Sequence, residues 1–205
     1  MDAVVALTAA RSPGQLVSVG LQSGERLLLS TRRLAELRLA PGDALDDRRL
    51  AELRAAAEDE RLEQRVLRLI AVRPRSRAEL DRQLDSWGVT AGRAEALLGR
   101  LRTAGLLDDG VVAADVSSAL RRRGHGSLRA AHELDRLGVD AGTAAPVVGD
   151  HAAGDAGRAC ELVVRRFGEP PYDADVARRA AAYLWRRGFA EDAVAAAVGV
   201  DLDML

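Results

Sequence analysis

The stretch ELDRLGVDAG, Glu133 to Gly142, reads as the end of one helix followed by the start of another. Similar stretches lie at one fixed distance on either side of it, QLDSWGVTAG from Gln83 and YLWRRGFAED from Tyr183. The central glycines of the three copies are 50 residues apart: Gly88, Gly138 and Gly188. A repeat of this length is typical of an architecture built from stacked helical units.

Each copy has a leucine four residues before its glycine and an apolar residue directly after it. This pattern is typical of a helix that ends in a left-handed glycine, because the residue after the glycine packs back on the last turn. The leucines are Leu84, Leu134 and Leu184. We therefore predict a mainly α protein in which three tandem three-helix repeats form an elongated, curved solenoid with a long surface for a partner.

The first 57 residues differ in character from the rest of the chain. Short apolar runs at Val4–Ala9, Gln15–Leu21 and Arg26–Leu29 predict strands, separated by turns at Arg11–Gly14 and at Ser23-Gly24. We expect residues 1–57 to form a small antiparallel β domain with a helical linker, followed by repeats at 58–110, 111–154 and 155–205. The helices predicted for the repeats are Glu60–Val72, Arg77–Trp87, Ala91–Thr103, Val111–Arg123, Leu128–Leu137, Ala141–Val148, Asp155–Phe167, Ala174–Arg187 and Glu191–Val198.

Composition sets limits on location and on partners. The 205 residues contain no apolar run close to the ~18 residues of a membrane span, and no secretory leader is recognisable, so we expect a cytoplasmic protein without membrane contact. All 30 basic residues are arginine, and the net charge is −1. The balance gives no global electrostatic support to tight, autonomous nucleic-acid binding. Nothing in the sequence requires more than a monomer.

The sequence contains no recognisable catalytic or metal-binding constellation. His125, His132 and His151 stand at no ligand spacing with each other or with a cysteine. A phosphate-binding loop and a nucleophile elbow are absent from the sequence. Asp108-Asp109 favours a helix cap over general acid–base chemistry, which needs carboxylates that face each other across a cleft. We expect no enzyme activity, no metal and no cofactor.

Arginines cluster at predicted helix ends, at Arg73, Arg121–Arg123, Arg165-Arg166 and Arg186-Arg187. One interpretation is compensation of the helix dipole, worth about 0.3–1 kcal/mol for each charge. The other is a contact stripe, because equivalent positions of stacked repeats lie in line on one surface.

A second alternative concerns function: residues 76–110 have the order of a winged helix, which would make the protein a DNA-binding transcriptional regulator.

Several segments resemble the RecX family of bacterial regulatory proteins. The resemblance rests on Arg73–Ser76 with Glu79-Leu80, on Gly105–Asp109, on RRRGHGSLRAAHELDRLGV from Arg121, and on YLWRRGF from Tyr183. The leading segment SGERLLLSTRRLAELRLAPGDAL is similar to that of one branch of the family. Order and spacing carry the resemblance, which covers nearly the whole chain.

The resemblance implies a non-enzymatic protein that binds the RecA recombinase filament on single-stranded DNA, along its groove. It implies a negative regulator that limits filament growth, ATP hydrolysis and strand exchange in homologous recombination, DNA repair and the SOS response, and it allows weak direct DNA binding. The contact candidates that it implies are Arg73, Arg75, Arg77, Arg121, Arg122, Arg123, Arg178, Arg179, Arg186 and Arg187.

Overall fold

The computed structural model describes residues 2–9 and 16–199. The chain divides into two compact units after Val72. The predicted turn at 11–14 and residue 15 of the second predicted strand lie outside the described residues. A mainly α fold preceded by a small antiparallel sheet is confirmed.

The first unit contains a four-stranded antiparallel sheet, two helices and a leucine-rich core. The strands are β1 Asp2–Ala9, β2 Leu16–Leu21, β3 Arg26–Ser30 and β4 Ala44–Leu45, and the helices are α1 Thr31–Leu37 and α2 Asp47–Val72. The sheet order is β3-β2-β1-β4. Val19, Leu29 and Leu45 are fully buried beside Leu53 and Ala57 of α2, so the sheet's inner face is covered by that helix.

Helix α2 is longer than a helix of the predicted repeats. No glycine or proline interrupts residues 47–72, so the helix continues unbroken through residue 57, where the sequence predicts the end of the first domain. Its buried residues begin at Leu53 and end at Val66. The assignment of residues 58–72 to a first repeat therefore stays a prediction.

The second unit is made of short helices that follow the 50-residue period. They are α3 Arg77–Ser86, α4 Ala91–Thr103, α5 Asp109–Arg122, α6 Ser127–Leu137, α7 Ala141–Ala152, α8 Asp155–Phe167, α9 Ala174–Arg186 and α10 Glu191–Val198. The helices α5 to α7 pack on one another around Ala113 and Leu134, and α8 to α10 pack around Val163 and Leu184. Each three-helix group thus has its own apolar centre.

The three period glycines all end a helix in the left-handed region. Their φ angles are 72° at Gly88, 75° at Gly138 and 79° at Gly188. In each copy the residue after the glycine donates its N–H to the carbonyl of the leucine, at 3.1, 3.0 and 3.3 Å in chain order. This is the hydrogen bond of a Schellman cap, and all three leucines are fully buried.

The helix starts differ more than the helix ends. Ser76 and Glu79 form the reciprocal capping box that the sequence predicts, and Asp140 accepts from the Thr143 N–H at 3.0 Å. Thr90 occupies the equivalent cap position but its side chain makes no capping hydrogen bond. Asp108 accepts from the N–H groups of Gly110 and Val111, which gives the predicted cap of α5.

Candidate partner-binding surface

Successive repeats meet where the start of one helix touches the end of a later one. We name residues 73–79 with 133–138 the first junction, and residues 121–129 with 183–188 the second junction. At the first, the Ser76 hydroxyl donates to the Leu137 carbonyl at 2.6 Å. At the second, the N–H of Gly126 donates to the Arg187 carbonyl at 2.9 Å, so the period relates the two contacts.

Aspartates that begin α5 and α8 reinforce both junctions by capping an earlier helix. Asp109 accepts from the Arg77 N–H at 2.8 Å, and Asp155 accepts from the Ser127 N–H at 2.9 Å. Arg77 and Ser127 are the first residues of α3 and α6, so both bonds satisfy a free helix N–H. Asp155 is buried and also pairs with Arg158 at 2.5 Å.

The first junction neutralises its own arginines. Arg73 pairs with Glu79 at 2.5 Å, and Arg75 approaches the same carboxylate at 3.5 Å. Arg136 pairs with Glu133 at 2.5 Å. Burial raises the pKa of Glu79, but hydrogen bonds from Arg73 and from the Ser76 N–H outweigh it and hold that pKa below its usual value. The carboxylates of this junction are therefore charged and engaged at neutral pH.

The second junction gathers arginines around one aromatic ring. The guanidinium of Arg187 donates to the carbonyls of Arg123 and Gly124, at 2.9 and 3.1 Å. It also lies 4.8 Å from the ring centroid of Tyr183, and the guanidinium of Arg166 lies 4.9 Å from the same centroid. Both distances are within the range of cation–π attraction. The ends of α5, α8 and α9 thus meet at Tyr183.

His125 lies among the arginines of this second junction. Burial lowers the pKa of His125, and the charges of Arg187, Arg129 and Arg123 lower it further, against a backbone hydrogen bond to Arg187 that raises it. Within residues 2–9 and 16–199, no carboxylate forms an ion pair with Arg122, Arg123 or Arg129. The junction is therefore a local basic surface on a chain of net charge −1.

The period explains why the two junctions differ in charge. The residue 50 positions after Glu79 is Arg129, and the residue 50 positions after Glu133 is Tyr183. The two carboxylates that neutralise the first junction are thus replaced in the second by a cation and an aromatic ring. The same backbone arrangement consequently carries a paired surface in one place and an open basic surface in the other.

The ten arginines that the resemblance implies occupy different environments. Arg77 pairs with Glu95, Arg121 pairs with Asp150, and Arg178 pairs with Asp175. Arg122, Arg123, Arg179 and Arg186 are exposed. The structure brings Arg121–Arg123 and Arg187 to one junction, whereas Arg73, Arg75 and Arg77 lie at the other.

Sequence reasoning missed Arg129 and Tyr183 and did not carry Arg166 into the site. Arg129 lies in the first turn of α6 and Tyr183 in the last turns of α9, so neither belongs to an arginine run at a helix end. A signal was present, because an alignment of the chain with itself at the 50-residue offset sets Arg129 against Glu79. Only the fold shows that these positions meet.

A cleft of about 700 Å³ lies beside the first junction and has acidic walls. Its charged lining comprises Arg77, Asp81, Arg102, Asp108, Asp109 and Asp140. Three of these four aspartates already accept hydrogen bonds from helix N–H groups, which assigns them a structural role. Across the described part of the chain, no group of three or more His, Cys, Asp or Glu side chains is arranged to hold a metal ion.

A buried histidine joins three elements of the second repeat. His151 of α7 is fully buried, and its Nε2 lies 3.0 Å from the His125 carbonyl, which can only accept. The Nε2 atom therefore carries the proton, and Nδ1 accepts from the Ser117 hydroxyl at 2.9 Å. Burial lowers the pKa of His151, which keeps the ring neutral.

None of the helices within the described ranges is long and apolar enough to cross a membrane.

Several known proteins that are similar to this chain share one description. No family model matches the chain. The "Regulatory protein RecX" of Xanthomonas oryzae pv. oryzae is 36% identical over 138 residues, which cover 67% of this chain and 85% of the relative. The protein of the same description from Halorhodospira halophila is 38% identical over 139 residues, covering 67% of this chain and 86% of its own. That from Mycobacterium ulcerans is 41% identical over 132 residues, covering 61% and 75%.

Solved structures agree at the level of the fold. A crystal structure of regulatory protein RecX aligns with a TM-score of 0.75 and 19% identity, covering 97% of this chain and 99% of its own. That of RecX from Lactobacillus salivarius aligns with a TM-score of 0.61 and 17% identity, covering 73% of this chain and 99% of its own.

Proposed function

The chain belongs to the RecX family of regulatory proteins, and from that membership we propose that it regulates the RecA recombinase. In this proposal it binds the RecA filament on single-stranded DNA in the cytoplasm and limits filament extension, ATP hydrolysis and strand exchange. The single observation that carries the proposal is the similarity of the chain to known relatives. The chain is 36–38% identical to two RecX proteins over about 85% of their length.

The surface of the second unit supports a binding role of this kind. A regulator without catalytic groups acts through the free energy of binding, so it needs a surface that favours one state of its target. The second junction offers exposed guanidiniums on a chain that is nearly neutral as a whole. Such a local surface suits a large assembly that presents acid groups.

The alternative, a winged-helix transcriptional regulator, loses its structural basis. A winged helix requires a β-hairpin after its recognition helix, whereas α4 leads through Gly105–Asp108 directly into α5. In the described ranges all four strands precede residue 46. Glu95, on the helix that would enter the groove, would also face the phosphates with the wrong charge.

The rate of DNA-dependent ATP hydrolysis by RecA on single-stranded DNA, measured while this protein is titrated in, tests the proposal. We expect inhibition at less than one molecule per RecA subunit, because a ligand that stops extension acts on many subunits. Binding of the same protein to the same DNA without RecA is the control. Unchanged hydrolysis together with salt-sensitive binding to duplex DNA would contradict the proposal and favour a protein that binds DNA without RecA.

A further inference from the structure

The two junctions share a backbone arrangement but differ in the side chains that they expose. We propose that the second junction is a docking surface for a protein partner that presents acidic groups around an apolar recess, with Trp185 as the residue that enters the recess. The proposal rests on the proposed function for the identity of the partner assembly, and it assigns the contact to one region of the chain.

The charge pattern gives the first support. Glu79 and Glu133 engage the arginines of the first junction, and the period replaces them with Arg129 and Tyr183 in the second. Arg122, Arg123 and Arg129 are exposed there. Since helix-end stabilisation needs about half a charge, this excess of cations exceeds what the fold requires.

Trp185 gives the second, independent support. Its side chain is 49% exposed, although indole is among the most costly surfaces to leave in water. The equivalent positions 50 and 100 residues earlier are Asp135 and Asp85, both exposed aspartates. The third core is already filled by the fully buried Leu184 and by Phe189, so packing does not explain the tryptophan.

Leu128 extends the apolar part of this surface. Its side chain is 56% exposed, and its N–H donates to the Gly188 carbonyl at 3.0 Å. The N–H of Gly188 in turn donates to the Trp185 carbonyl at 2.9 Å. The start of α6, with the exposed Leu128, is therefore joined through Gly188 to the end of α9, with the exposed Trp185.

This combination favours a protein over nucleic acid. Tryptophan and arginine are among the residues that most often dominate binding between proteins, and both are exposed at this junction. Non-specific binding of single strands instead uses successive aromatic rings on which bases stack. Here two guanidiniums already lie against Tyr183, which leaves Trp185 as the available ring of the junction.

The junction is also organised before it binds. Arg187 ties the end of α5 to the end of α9 through two carbonyls, and Gly126 binds the Arg187 carbonyl from the other side. Neighbouring guanidiniums are therefore displayed from a fixed backbone. Fixed display reduces the ordering cost of association.

The test uses the double variant R129E/W185D. It gives positions 129 and 185 the residue types found 50 positions earlier, at Glu79 and Asp135. The matched control is R82E/V111D, which makes the same charge reversal and also replaces an exposed apolar residue by aspartate elsewhere in the same unit. The full chain is titrated onto RecA filaments held on single-stranded DNA by a slowly hydrolysed ATP analogue, and onto that DNA alone. Thermal melting checks that each variant is folded.

We expect R129E/W185D to weaken filament binding at least about tenfold, because residues of this kind dominate interfaces, and the control to stay within about twofold. Filament binding by R129E/W185D equal to that of the wild type would overturn the docking surface. An equal loss on bare DNA would overturn it too and identify nucleic acid as the ligand. Wild-type protein that fails to bind the filament would contradict the proposed function itself.

Should the double variant melt early, W185A provides the same test, because it only truncates an exposed side chain. We expect W185A alone to weaken filament binding at least several-fold. If a folded W185A protein bound the filament with wild-type affinity, Trp185 would not belong to the interface. The proposed recess for its side chain would then be wrong.

Discussion

At the residue scale, two features require glycine at position 138, the left-handed backbone and a close neighbour, whereas only the backbone requires it at position 88. Both have a φ angle in the left-handed region, 75° and 72°. A Cβ atom built on Gly138 would stand 2.5 Å from the Cβ of Ala78, whereas one built on Gly88 would meet nothing within 4 Å. The comparison therefore separates backbone strain from the close approach of two repeats.

We expect G88A to lower the free energy of unfolding by about 1 kcal/mol, the cost of a Cβ in the left-handed region. G138A should lower it by about 2–4 kcal/mol, because overpacking adds about 1–3 kcal/mol to the same strain. Urea denaturation followed by circular dichroism measures both. Equal losses in the two variants would contradict a close contact at Gly138.

The period predicts which residue ends each helix, but not what lies against it. The left-handed glycines and the buried leucines are local features that recur every 50 residues, so the sequence reveals them. The contact of Gly138 with Ala78 joins residues 60 apart in the chain. The gathering of Arg166 and Arg187 around Tyr183 is likewise a product of helix packing, which sequence spacing does not encode.

At the element scale, most helices begin and end within two residues of the predicted positions, because Gly, Pro and cap residues mark their ends. Helix α7 is an exception. The sequence predicts its end at Val148, before Gly149, whereas the helix continues to Ala152. The extra turn buries His151 against α5, and this tertiary contact outweighs the low helix propensity of glycine. The two-residue strand β4 was not predicted, since so short a segment has no periodicity.

The histidine buried by the extra turn of α7 predicts that the stability of the second repeat depends on pH. Burial lowers the pKa of His151, and the charges of Arg158 and Arg121 lower it further, against the hydrogen bond to the His125 backbone and the charge of Asp155, which raise it. The unfolded chain therefore takes up a proton more readily than the folded one. The stability that the neutral ring provides is complete above about pH 6.5, the ordinary pKa of histidine, and is lost as the pH falls below it. His125 contributes in the same direction.

We expect the free energy of unfolding to fall between pH 7 and pH 5 with a slope below about 1.4 kcal/mol per pH unit for each proton taken up. H151Q keeps a donor and an acceptor but cannot titrate, so its slope should be smaller. H132Q makes the same substitution at an exposed histidine of α6 and is the control for the replacement itself. An unchanged slope in H151Q would show that the buried ring does not take part.

At the scale of the whole molecule, charge is balanced in number but not in position. The chain has 30 basic and 31 acidic residues, and many of its arginines pair with a nearby carboxylate. The exposed cations of the second junction are a local exception, and composition alone does not reveal them. A near-neutral composition thus argues against autonomous DNA binding while leaving a surface for a charged partner.

The salt dependence of binding follows from this distribution. If bare single-stranded DNA meets only Arg122, Arg123 and Arg129, the slope of log affinity against log salt should be no steeper than about −2, at about −0.7 for each phosphate. A winged-helix protein with 6–10 duplex contacts would give a slope of about −5 to −9. We expect the shallow slope and weak affinity on bare DNA, and stronger binding once RecA coats the same strand. Fluorescence anisotropy on labelled DNA between 50 and 200 mM salt measures the slope, the affinity for bare DNA and the affinity for RecA-coated DNA. A steep slope on bare duplex DNA would contradict a regulator that depends on the filament.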